Sequence, residues 1–124
     1  MASKKRWVLL EHSGLPDGIH FDLLVEDKNS CRTWRLPNLL ILDGPSQAVT
    51  VLSPHNLYWL ERTEGSVSGG RGFAKRILFG LFVGDLPTKD EASMEIDLYS
   101  EAIQGRLLIK NGVCRFFSVP SLSS

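Results

Sequence analysis

The sequence predicts an all-β fold: a small closed or partly open β-barrel of about eight strands with at most short helices. Three observations carry this expectation. Short apolar or alternating stretches recur along the chain, separated by clusters of Gly, Pro, Asn, Asp and Ser. No stretch keeps a helical apolar period for three turns. Leu107–Lys110, Asn111-Gly112 and Val113–Phe117 spell out a hairpin whose two-residue turn suits positive φ. The 124 residues suffice for a single domain, 1–124, with a core over about 6–118 and loose tails at 1–5 and 119–124.

Trp7-Val8-Leu9-Leu10 opens the order as a strand ending at Glu11 and His12. Ser13–Gly18 is rich in turn formers and folds the next strand back beside it. From Ile19, apolar Ile19, Phe21, Leu23 and Val25 alternate with His20, Asp22, Leu24 and Glu26. Asp27–Ser30 is a turn, and Cys31–Leu36 a third strand closed by Pro37-Asn38. Asp43–Ser46 turns into the β-branched stretch Gln47–Leu52. Ser53–Asn56 begins a short helix with Leu57, Tyr58 and Leu60 as apolar contacts. Glu64–Gly72 holds four glycines; Lys75–Gly84 is a strongly apolar strand, and Ser93–Tyr99 alternates as a half-buried one. Trp34 and Phe73 read as core rather than as base-stacking platforms.

Fourteen Lys and Arg balance fourteen Asp and Glu. A protein that coats duplex DNA through many phosphates is normally more basic, so any nucleic-acid contact is expected to be local, such as one strand end. Apolar runs are too short to span a bilayer as a helix, and no signal-type apolar segment follows Lys4-Lys5-Arg6. Cys31 and Cys114 lack CxxC spacing and read as reduced thiols of a cytoplasmic protein.

The chemistry concentrates between Glu11 and Glu26. Side chains of a strand have period two, so His20 and Asp22 share a face, about 6–7 Å apart. The hairpin brings His12 towards them, and two imidazoles with one carboxylate make an open site for a divalent metal.

The order E-H at 11–12, I-H-F-D-L at 19–23, T-W-R-L-P at 33–37, P-H-N-L-Y-W at 54–59 and E-G-S-V at 64–67 resembles the 3′-phosphoesterase domain of bacterial ligase D end-joining proteins and its small stand-alone versions. The resemblance runs from residue 7 to about 110. It implies that His12, His20 and Asp22 are metal ligands, with manganese as the ion, and that His55 contacts the scissile phosphate. Tyr58 or Trp59 falls near the family's tyrosine. Three family cations are missing: one arginine is Leu24 here, a lysine is Asn38, and the arginine of the first motif has no counterpart in S-G-L-P-D-G-I. Arg32, Arg35, Arg62, Arg71, Lys75 and Arg76 are available to replace them, Arg71 from the glycine-rich segment where backbone can approach phosphate.

The resemblance therefore implies a metal-dependent phosphoesterase acting at 3′ ends of DNA or mixed DNA–RNA strands, working beside a DNA ligase or other end-joining proteins. Its rival is a degenerate barrel that binds DNA ends or a repair partner without turnover. A structural barrel with accidental histidines is the third reading.

Overall fold

A computed structural model describes residues 5–89 and 93–120. The expected tail at 1–5 lies outside these residues except for Lys5, and the tail at 119–124 except for Val119 and Pro120. Among the described residues, ten strands form one antiparallel sheet that is not closed into a barrel, with short 3₁₀ turns as the only helical elements. The strands are β1 (Lys5–Leu15), β2 (Gly18–Glu26), β3 (Cys31–Leu36), β4 (Gln47–Ala48), β5 (Thr50–His55), β6 (Glu64–Ser66), β7 (Phe73–Val83), β8 (Met94–Tyr99), β9 (Gln104–Lys110) and β10 (Val113–Phe117). Their order is β4-β10-β9-β8-β7-β1-β2-β3-β5, with β6 paired to β7.

The two ends of this order belong to one stretch of chain. β4 pairs with β10, whereas β5, beginning two residues later, pairs with β3. The chain therefore passes from one edge of the open sheet to the other at Val49, whose N–H donates to the Gly112 carbonyl at 2.9 Å. This explains the difference from about eight expected strands: Gln47–Leu52 is divided between two partners, and Glu64–Ser66 inside the glycine-rich segment pairs with β7. The 107–117 hairpin is as expected, with Asn111 at φ 53° and Gly112 at φ 73°.

Alternation gives each strand two different faces. Trp7, Leu9, Leu23, Val25, Trp34 and Leu36 pack with Ile96, Leu98, Leu107 and Phe116 on the concave side, forming the main core. The opposite face of β1, β2 and β3 carries a second, smaller cluster of Val8, Leu10, Leu24 and Cys31, roofed by Trp59 and Leu60. Those two come from a 3₁₀ turn, Leu57–Leu60, whose N-cap Asn56 accepts from the Tyr58 N–H at 3.0 Å. The helix expected to begin within 53–56 thus starts one residue later, because Ser53-Pro54-His55 still belongs to β5. Arg76 Nη1 holds this turn down by donating to the Leu60 carbonyl at 3.1 Å. Trp34 is core as expected; Phe73 is not, being 38% exposed at the start of β7. Both thiols are buried and unpaired, and burial pushes each up to about 12. Among the described residues no helix is long and apolar enough to cross a membrane.

Candidate functional site on the outer face

β1 and β2 form the expected hairpin, extended to Leu15 and Gly18, and its register sets the site. His12 faces His20, Leu10 faces Asp22, and Asp22 faces Arg35 on β3. Residues directly opposite in a sheet point to one side, so His12, His20, Asp22 and Arg35 share the outer face, beside the smaller apolar cluster.

Arg35 closes the group. Its Nε donates to Asp22 Oδ1 at 2.9 Å and its Nη2 to Asp22 Oδ2 at 3.2 Å. Nη2 also lies 2.9 Å from His12 Nδ1. The carboxylate is 4% exposed in its side chain and the guanidinium 27%. The hydrogen bonds to Asp22 lift Arg35 above its already high ordinary pKa, outweighing the cost of its burial. Asp22 is deeply placed and satisfied, while Arg35 reaches it from the solvent side.

His12 has a fixed tautomer. Its Nε2 lies 2.6 Å from the Arg71 carbonyl, which only accepts, so Nε2 carries the proton and Nδ1 keeps a lone pair facing Arg35. Nδ1 is 3.3 Å from Asp22 Oδ2. The carbonyl reaches His12 because Gly72, at φ +90°, lies against β1: a Cβ there would stand 2.2 Å from the Ser13 carbonyl oxygen. We expect Gly72→Ala to lower stability by about 2 kcal/mol, from positive φ and the displaced loop together. A denaturation midpoint equal to that of the wild type would show that this contact does not hold the loop.

His20 is half-buried and turned the other way. Its Nε2 is 3.0 Å from Asp17 Oδ2, an ion-pair distance reached off the hydrogen-bonding direction, so this buried nitrogen has no aligned partner. The contact still holds the Asp17 carboxyl below its usual range. Among the described residues no three His, Cys, Asp or Glu side chains gather into a group that could hold a metal ion.

His55 stands one side-chain row away. Thr33 is two residues from Arg35 on the same face of β3, about 6–7 Å along the strand. His55 Nδ1 lies 3.0 Å from Thr33 Oγ1 and 3.1 Å from the Ser53 carbonyl. Thr33 donates its own proton to the Cys31 carbonyl at 3.1 Å, so it accepts from His55. Nδ1 is thereby the protonated nitrogen of the neutral ring, and Nε2 carries the lone pair available to a ligand.

The other anticipated binding residues are less central. Tyr58 is 46% exposed and stacked on Trp59 with ring centroids 5.2 Å apart. The Arg62 guanidinium lies 5.0 Å from the Trp59 ring and 5.7 Å from the Tyr58 ring. Arg71 meets the site through its carbonyl, with its exposed side chain beside Gly69. Sequence reasoning did not anticipate three contributions: the Arg35 bond to Asp22, the pair Thr33 and Ser53 that orients His55, and the close approach of Gly72. Only the first had a usable signal, in the register of a β2–β3 hairpin.

The donor types suit a divalent transition metal, but as the described residues are placed they do not gather to hold one. His12 Nδ1 and Asp22 converge on one cation, and ligating histidines commonly give their other N–H to a backbone carbonyl, as His12 does. His20 sits directly across from His12 with an orphaned ring nitrogen. The cation on which they converge is Arg35, so a metal fits only when Arg35 withdraws and the His20 ring turns from Asp17. No protein-family model matches the chain, and a search of curated proteins returns no match.

Proposed function

We propose that the outer face is the active site of a metal-dependent phosphoesterase acting on 3′ ends of DNA, removing a 3′-phosphate or a 3′-terminal ribonucleotide during end repair. One observation carries the reading: His12 presents an oriented Nδ1 lone pair beside the buried Asp22 carboxylate, with His20 across the same ladder. His12, His20 and Asp22 would hold the metal, with manganese the expected ion. When bound, it supplies positive charge against the nonbridging phosphate oxygens.

The chain's own residues do the rest. Hydrolysis joins a water oxygen to phosphorus and breaks the P–O3′ bond, and a proton must reach the departing 3′ oxygen. His55 would deliver it from Nε2 after that nitrogen, which carries the lone pair of the neutral ring, has taken up a proton, while Thr33 and Ser53 hold the ring through Nδ1. Arg35 offers a bidentate guanidinium to the phosphate. Tyr58 and Arg71 would be further substrate contacts. Balanced overall charge suits recognition of one strand end rather than of a long duplex. A DNA ligase or other end-joining protein would take up the cleaned 3′ end, and two unpaired buried thiols agree with a cytoplasmic setting.

A second reading is favoured by the Arg35–Asp22 pair: a barrel that binds strand ends without turnover, its metal position filled by a guanidinium. A 3′-phosphorylated primer in Mn²⁺, with chelator as the blank, separates the two. We expect slow phosphate release by the wild type and loss of at least about 10²-fold in His55→Ala. Metal-dependent release absent from the wild type, despite metal binding, selects the binding module.

A further inference from the structure

We propose that residues 77–80 of β7 are a docking edge for one extended peptide segment of another protein, apolar at alternate positions and bearing a Lys or Arg. β7 outruns the strands on its far side. It lies beside β1 from Phe73 to Phe82, with Ile77 as the extra residue of a bulge. On its other edge β6 covers Phe73 to Lys75, and β8 covers Leu81 to Val83. The Arg76 N–H still donates to the Thr63 carbonyl at 2.8 Å. Ile77-Leu78-Phe79-Gly80 thus has no strand along that edge among the described residues. An uncovered row of backbone N–H and C=O groups is a template for one more strand.

Proteins usually blunt such an edge with charge or proline. Residues 77–80 carry neither, and Phe79 is 56% exposed with Leu81 beside it at 40%. β8 does not extend over the gap, because its end is tied into a turn. The Ser100 N–H and hydroxyl both donate to the Ile103 carbonyl at 2.9 Å, and Ser100 Oγ accepts from the Ile103 N–H. A cleft of about 550 Å³ opens here, walled by Ile77, Leu78, Phe79, Leu81, Tyr99 and Ala102. A second, of about 510 Å³, shares Phe79, Gly80 and Leu81 with it and reaches to Trp7 and Leu60. Side chains alternate along an added strand, so successive residues can enter different clefts while the backbone pairs with β7. Charge selects among such segments. Glu101 lines the first cleft, is exposed and has no ion-pair partner among the described residues, so its complement is a Lys or Arg. Between β6 and β8 the gap is only about 13 Å long, which admits a single extended segment and not the sheet edge of a second copy.

The experiment titrates the whole isotope-labelled protein with the peptide acetyl-Lys-Val-Thr-Val-Thr-Val-amide and follows its backbone amides by NMR. Two further peptides carry N-methyl groups on alternate residues, one on each edge of the extended backbone. We expect shifts confined to residues 77–81 and 99–104, with slowed hydrogen exchange within 77–80. One methylated peptide should bind like the parent and the other at least about tenfold more weakly, since only one edge pairs with β7. Phe79→Ser should weaken the parent at least about fivefold. Glu101→Lys should weaken it about threefold and prefer a peptide with Glu in place of Lys. If Phe79→Ser fails to fold, Glu101→Lys and the methylated pair still decide, because Glu101 is exposed and the peptides leave the protein unchanged. Equal binding of both methylated peptides, shifts centred on another strand, or no shift at about 1 mM peptide overturns the docking edge. So does a wild-type dimer in sedimentation that Phe79→Ser or Glu101→Lys dissociates, which would assign the edge to a second copy.

Discussion

Leu24→Arg should unfold the protein or lower its Tm by more than about 10 °C. On the proposed reading this substitution would add a phosphate-binding cation, two residues from Asp22 on the same strand face. The fold forbids it. Leu24 is 0% exposed, enclosed by Val8, Leu10 and Cys31 and covered by Trp59 and Leu60. An arginine there would lose the burial of a leucine, worth about 1.5–3 kcal/mol. It would also force the 57–60 turn off the sheet to hydrate its charge. The combined cost is about 4 kcal/mol or more, enough to move Tm by over 10 °C in a domain of this size. Thermal melting by circular dichroism decides it. A Leu24→Arg protein that melts with the wild type and hydrolyses faster would mean that the roof over Leu24 opens freely in solution.

The same residue explains what could and could not be read from the chain. Alternation in 19–26 makes His20, Asp22 and Leu24 one face, and the structure agrees. Alternation does not say what lies above that face. Trp59 and Leu60 arrive from beyond β5, and nothing local to Leu24 announces that its polar-looking side is roofed. The β1–β2 hairpin was legible because turn formers at 13–18 separate two clear strands. The Asp22–Arg35 pair was legible in principle: once Glu26 faces Cys31 across the Asp27–Ser30 turn, counting back along both strands brings Asp22 opposite Arg35. The His12–Arg71 bond was not, since it joins residues 59 apart in sequence and depends on how β7 returns beside β1. The split of Gln47–Leu52 has a similar origin. A β-branched run marks strand conformation, but only long-range pairing hands its two halves to opposite edges of the sheet.

These distances in sequence also account for the uneven state of the candidate site. Local pattern delivers ligand-type residues to one face, while long-range pairing determines which atoms they meet. His55 belongs to the second kind: it is the last residue of β5, and the irregular register between Thr33 and Cys31 swings it over Thr33.

Replacement of Asp22 by alanine should be the most damaging single change within the site itself, at about 2–3 kcal/mol. Removing one partner of a buried ion pair commonly costs 3–5 kcal/mol, because the other charge is left without compensation. Here the remaining guanidinium is partly exposed and recovers some hydration, which lowers the figure. The loss is not only electrostatic. His12 Nδ1 would keep Arg35 Nη2 as its donor but lose the carboxylate that holds the fork in place, so the His12 ring should become more mobile as well. The measurement is a double-mutant cycle in urea with Asp22→Ala, Arg35→Met and the pair. If the charges are coupled as the geometry requires, Asp22→Ala/Arg35→Met should be more stable than the sum of the single losses predicts, by at least about 1 kcal/mol, since neither charge is then stranded. Additive losses would mean that Arg35 already spends its time in solvent.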